Sequence, residues 1–149
     1  MNIHIYDEQG GVGVYTVKEL VLQAPERVDV SQRMPAVQGA GFDVLSWYEA
    51  LRSEHGWTRT PTHLKVEAAD EFQATVPWNQ LKRAVLMYEQ DGAPLVKGYP
   101  LRLYVPEGSS ECLNVKSVTH IWFLYDEALG SDASYGYKNT IRPEDLRRK

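Results

Sequence analysis

The segment Ser117-Val-Thr-His-Ile-Trp-Phe-Leu-Tyr125 constrains the fold more than any other stretch of the chain. Val118, Ile121, Trp122, Phe123 and Leu124 are too continuous for a strand with one wet face, so they predict a strand lying centrally in a sheet. Candidate neighbours stand upstream. From Leu64 the apolar period becomes two, and Leu64-Lys-Val66, Phe72-Gln-Ala-Thr-Val76 and Val85-Leu-Met-Tyr-Glu89 predict consecutive strands, with one helical turn near Trp78 to Leu81. Asp91-Gly92 is a turn signal. Pro94 to Pro106 then predicts a strand with one buried face, because Leu101, Leu103 and Val105 alternate with Arg102 and Tyr104.

Signals for helices longer than one turn stand upstream of these strands. Thr16-Val-Lys-Glu19 has capping-box spacing, in which the Thr16 hydroxyl accepts from the Glu19 N–H while the Glu19 carboxylate reaches back. Val17, Leu20 and Val21 share one face, and Pro25 ends the helix. A second helix is predicted from the capping residue Asp43, with Val44, Trp47, Tyr48 and Leu51 as its apolar stripe. Ile3 to Tyr6 reads as a short strand entering the glycine-rich turn Glu8-Gln-Gly-Gly-Val-Gly13, and Val28-Asp-Val30 as a minimal strand. Arg33 to Gly41 reads as loop. Helices and strands interleave irregularly, so the expected class is α+β with a mixed sheet and short helices.

A chain of 149 residues removes roughly two thirds of its unfolded surface from water, enough for one core. One domain over residues 1–149 is expected, with 127–149 a polar C-terminal tail. Hydrophobic residues are 43% and charged residues 24%, which excludes disorder and fibre. The net charge of -4 gives no field for nucleic acid or anionic lipid, and no apolar run spans a bilayer, so neither partner is expected and the reading is cytoplasmic. The lone Cys112 forms no internal disulfide and no thiolate zinc site.

Several chemistries lack their residues. Gly11-Val-Gly13 is followed by Thr16 where a dinucleotide loop needs its third glycine. His4, His55, His63 and His120 do not pair at helical metal-ligand spacing. Cys112 stands beside Glu111 and Glu107, which disfavour a thiolate. No nucleophile elbow is present, so no catalytic and no metal residue is assigned. The informative segment is Lys97 to Lys116. Lys97, Arg102 and Lys116 alternate with Gly98, Pro100, Gly108, Ser109, Ser110 and Asn114, placing cations beside small residues whose backbone N–H groups can hold an anion. The same pattern also reads as solvated charges flanking a buried hairpin.

Gly92-Ala-Pro-Leu95, Gly98-Tyr-Pro-Leu-Arg-Leu-Tyr-Val-Pro106 and Asn114-Val-Lys116 resemble, in order and spacing, the molybdopterin-binding domain of the sulfite oxidase family. The likeness extends to Thr16–Leu20, Phe42–Leu51, Phe72–Pro77 and Val85–Glu89, and so covers most of residues 3–125. It implies that Arg102 and Lys116 contact the pterin's phosphate and polar edges, with Asn114 beside them. Lys97 stands where the family places a pterin-binding histidine, and Ser117 replaces a tryptophan. The resemblance breaks at Val28-Asp-Val-Ser-Gln-Arg-Met34, where the family carries the cysteine that holds molybdenum. Ser31 is a poor substitute for a soft thiolate, and Cys112 lies in another segment.

The resemblance therefore implies a shortened domain, similar to that of a sulfite-oxidase-type oxidoreductase, binding molybdopterin or another anionic small molecule without redox turnover. Two alternatives stand beside it. One is an interaction or homo-oligomerisation module with a vestigial cofactor site and Trp57, Tyr135 and Tyr137 as anchors. The other is a molybdenum oxidoreductase with an atypical metal centre.

Overall fold

The computed structural model describes residues 1–10 and 13–138. Strand β1 (Ile3–Asp7) is followed by β2 (Val14–Tyr15) and helix α1 (Val17–Gln23). Both halves of the capping box form, with the Glu19 N–H donating to Thr16 Oγ1 at 3.1 Å and the Thr16 N–H to Glu19 Oε1 at 3.0 Å. Next come β3 (Val28–Asp29), a 3-10 turn at Val30–Gln32, β4 (Ala40–Asp43) and helix α2 (Val44–His55). Asp43 caps α2 by accepting from Ser46, and Gly56 ends it in the left-handed conformation. The chain continues through β5 (His63–Ala68), β6 (Phe72–Pro77), a 3-10 turn at Trp78–Gln80, β7 (Val85–Gln90), β8 (Ala93–Pro94) and β9 (Arg102–Tyr104). It closes with β10 (Val118–Leu124) and β11 (Ser134–Tyr137).

These strands form two sheets, β11-β6-β5-β10-β1-β2 and β3-β4-β7-β8, with β9 also pairing β7. Their facing sides enclose one core with both helices. Ile5, Val66, Val76, Ile121 and Phe123 come from the larger sheet, Phe42, Leu86 and Leu103 from the smaller, and Val44, Trp47, Tyr48 and Leu51 from α2. A second cluster, Val30, Val85, Met87, Leu95 and Tyr104, covers the other side of the smaller sheet. The α+β class with mixed sheets and short helices is thus the observed architecture, and β10 lies between β5 and β1 as expected. Its second face is not covered by another layer. His120, Trp122 and Leu124 are half-buried there, stacked with their neighbours on β1: His4 on His120 at 4.5 Å and Tyr6 on Trp122 at 5.1 Å.

Four expectations need correction. Val30 begins a 3-10 turn, not a strand end, because the Asp29 carboxylate caps it. Ala40–Asp43 is strand, not loop; Gly41 lies against β7, where a Cβ would strike the Leu86 carbonyl. Tyr104 is buried although its neighbours Leu103 and Val105 are too, since β9 is covered on both faces. The segment from Glu127 is polar and exposed, but Ser134–Tyr137 pairs with β6 as an edge strand and is no tail. Gly11, Val12 and the stretch from Arg142 to Lys149 lie outside the described residues.

Candidate functional site

The candidate residues are gathered where the chain folds back between β9 and β10. Leu103 and Val115 exchange backbone hydrogen bonds at 2.8 and 2.9 Å, the Ser117 N–H donates to the Gly98 carbonyl at 3.2 Å, and Val118 donates to Leu101 at 2.8 Å. These bonds lay residues 114–118 alongside 97–103. Lys97 and Lys116, each next in sequence to a residue of the Gly98–Ser117 bond, are exposed and have no ion-pair partner among the described residues.

Arg102 occupies the centre of this knot. Its stem folds over Gly98, where a Cβ would stand 2.6 Å from Arg102 Cγ and Cδ and displace it, and the φ of +79° there favours glycine. The guanidinium carbon lies 5.3 Å from the Tyr104 ring centroid. Its Nε is buried and has no acceptor among the described residues. A buried charged donor left unpaired costs free energy.

Asn114 serves the scaffold first. Its Oδ1 accepts from the Val105 N–H at 2.8 Å, bracing the hairpin and leaving only the amide nitrogen for anything else. Ser117, where the family resemblance places tryptophan, holds a φ of +56°. Cys112 is exposed on a 3-10 turn, Glu111–Leu113, with its N–H donating to Ser110 Oγ at 3.1 Å.

Two clefts flank Arg27 and Glu89, and neither is lined by Lys97, Arg102, Asn114 or Lys116. One, of ≈ 520 Å³, is lined by Val17, Val21, Tyr88, Tyr99 and Pro100 with Lys18 and Arg27 at its rim. The other, of ≈ 440 Å³, is lined by Arg27, Asp29, Gln32, Glu89 and Asp91 and is acidic. The Arg27–Glu89 ion pair, 2.7 Å, separates them. Glu89 holds the exposed Arg27 guanidinium above its ordinary pKa, first by the hydrogen bond and then by its charge.

For the anionic part of a pterin cofactor the chain offers Lys97, Arg102 and Lys116 on paired segments, with Arg102 Nε buried and without an acceptor among the described residues. Against the metal, the turn at Val30–Gln32 bears Ser31, whose Oγ donates to Asp29 Oδ1 at 2.8 Å. The chain's one thiol belongs to a different element. Among the described residues no three His, Cys, Asp or Glu side chains are grouped to hold a metal ion. His63 is spent on Thr62 and the Gly130 carbonyl, and His55 stacks on Trp57.

Of the expected interface aromatics, Tyr135 and Tyr137 are exposed at 51% and 57%, whereas Trp57 is not available. Its ring is buried in the core and its Nε1–H donates to the Gly10 carbonyl at 2.9 Å. Sequence reasoning missed a polar network joining distant segments. Tyr125 Oη donates to Asp7 Oδ2 at 2.6 Å, stands 2.9 Å from Tyr48 Oη and accepts from Gln9 Nε2 at 2.6 Å. Burial, then the Asp7 bond, pushes the Tyr125 phenol far above its ordinary range. Partners 118 positions apart leave no local spacing to find.

A family model described as "oxidoreductase molybdopterin binding domain" matches residues 39–131, a span that takes in Lys97, Arg102, Asn114 and Lys116 and leaves out Val28–Gln32. No curated protein matches the chain. No helix among the described residues is long and apolar enough to cross a membrane.

Proposed function

The chain belongs to the oxidoreductase molybdopterin binding domain family, and from that premise we propose that it binds a pterin or a related anionic small molecule without redox turnover. The observation that carries the reading is that residues 114–118 lie alongside 97–103, which puts Lys97, Arg102 and Lys116 on paired segments within the span the family model matches. Arg102 would hold the phosphate, with the two lysines supplying outer charge and the Asn114 amide nitrogen a further donor. The rings of Tyr88 and Tyr99, with Pro100, would receive a planar body. In this family the bound pterin carries molybdenum and supplies redox chemistry; with no thiolate on the Val28–Gln32 segment, this chain's residues bind and orient only.

The test is thermal stabilisation by a pterin bearing a phosphomonoester side chain. A site of this kind, filled at about a hundredfold excess over Kd, raises Tm by roughly 5–10 °C. Replacing Arg102 and Lys116 together by Ala is expected to abolish the rise while leaving the unliganded Tm within a few degrees. An unchanged rise in the double variant overturns the binding assignment. Stoichiometric molybdenum in the protein purified from its own host overturns the absence of turnover.

A second reading, as a homo-oligomerisation or interaction module, is favoured by Tyr135 and Tyr137, which are exposed on the edge strand β11. It uses a different part of the surface and does not compete for the Arg102 knot.

A further inference from the structure

Strands β1 and β10 are parallel neighbours, paired from His4↔His120 to Asp7↔Phe123. Where neighbouring parallel strands hand their chains on in opposite directions, a crevice is left at the carboxyl ends. That happens here: beyond Asp7 the chain turns back with the Gly10 N–H on the Asp7 carbonyl, and beyond Leu124 it enters a 3-10 turn at Glu127–Leu129. The crevice is a cleft of ≈ 580 Å³. Its size falls within the range of about 300–1,000 Å³ usual for small-molecule sites.

The lining is aromatic, apolar and acidic. Tyr6 and Trp122 form a stacked wall, Leu124 and Leu129 supply hydrocarbon, Glu8 and Asp126 stand at the rim, and no lysine, arginine or histidine lines it. Glu8 has no hydrogen-bond or ion-pair partner among the described residues, while the Asp126 carboxylate accepts only the Ala128 N–H of the turn it caps. Asp7 is already committed to Tyr125 and Gln9. On the Tyr6–Trp122 face Lys65 Nζ lies 5.0 Å from the Trp122 centroid, so a ring of this wall already accepts a cation. Lys65 itself does not line the cleft.

We propose that this cleft binds a small organic cation, a protonated amine or methylated ammonium on a short hydrocarbon body. Ring faces and carboxylates act on the same charge, so the site prefers the cation over a neutral molecule of equal shape. The assignment is independent of the Arg102 knot, which lies on other strands and takes the opposite charge.

The experiment follows the Trp122 indole N–H by NMR, the resonance being assigned by its loss in Trp122→Phe. Butylammonium chloride is expected to shift it saturably, and 1-butanol to bind at least about tenfold more weakly. Glu8→Gln, at an exposed and partnerless position, is expected to weaken butylammonium binding about threefold without changing the spectrum of the free protein. Butanol binding as well as butylammonium, or Glu8→Gln without effect, overturns the proposal. A lysine-bearing tripeptide binding far more tightly than butylammonium overturns the small-molecule assignment in favour of a protein-borne lysine.

Discussion

Gly41 owes its place to the strand packed against it. An added Cβ would meet the Leu86 carbonyl oxygen and come within 2.8 Å of Val85 Cγ2, and a backbone atom in the middle of a sheet cannot retreat as a flexible side chain can. Gly41→Ala is therefore expected to destabilise the protein by about 3 kcal/mol, seen as a lower denaturation midpoint at constant m-value. A loss below about 0.5 kcal/mol would mean that β4 and β7 separate freely. Sequence alone reads this glycine as loop, because a glycine needed for close approach and one needed for a turn are the same letter, and the partner lies 45 positions away. Arg102 teaches the converse. Its residue type and flanking motif make it a candidate anion ligand from sequence, but the burial of its Nε and the use of Asn114 as a brace emerge only when β9 pairs with the Val115 segment.

Elements whose causes are local were legible. Helix α1 starts where its capping box says, and α2 starts at Asp43, because a cap joins atoms three residues apart and owes nothing to the rest of the fold. Thr16→Ala is expected to cost about 1 kcal/mol, read from chemical denaturation, with Thr16→Ser recovering most of it. Equal stability of Thr16→Ala and wild type would show that packing of Leu20 alone holds the helix. The short strands β2 and β11 were not legible, since Val14–Tyr15 and Ser134–Tyr137 have too few apolar residues to show a period. They become strands only because β1 and β6 offer unpaired edges. The same limit hid the clefts: the mouth lined by Tyr88, Tyr99 and Val17 draws on three elements, none of which signals a concavity by itself.

At the scale of the whole molecule, the uncovered face of the larger sheet links stability to pH. His120 stands there in register with His4 and Glu67, its Nδ1 2.9 Å from Thr119 Oγ1 and 4.0 Å from Glu67 Oε2, with Lys138 on the far side of Glu67. Burial first, then the charges of His4 and Lys138, lower the His120 pKa from its ordinary 6.5, and Glu67 offsets this only in part. The unfolded chain consequently binds a proton at this histidine more readily than the folded chain does. Stability contributed by the neutral ring is thus complete above pH 6.5 and is lost as pH falls from that value through the lower folded pKa. The Tm is expected to be flat between about pH 7 and 8 and to decline below about 6.5, before the bulk of the carboxylates titrate. His120→Gln removes the proton uptake but keeps a polar side chain on the face, so its Tm should fall less steeply than wild type from about pH 6.5 to 5. Parallel slopes for the two proteins would place the acid sensitivity elsewhere and leave the stacked histidine pair a packing feature alone.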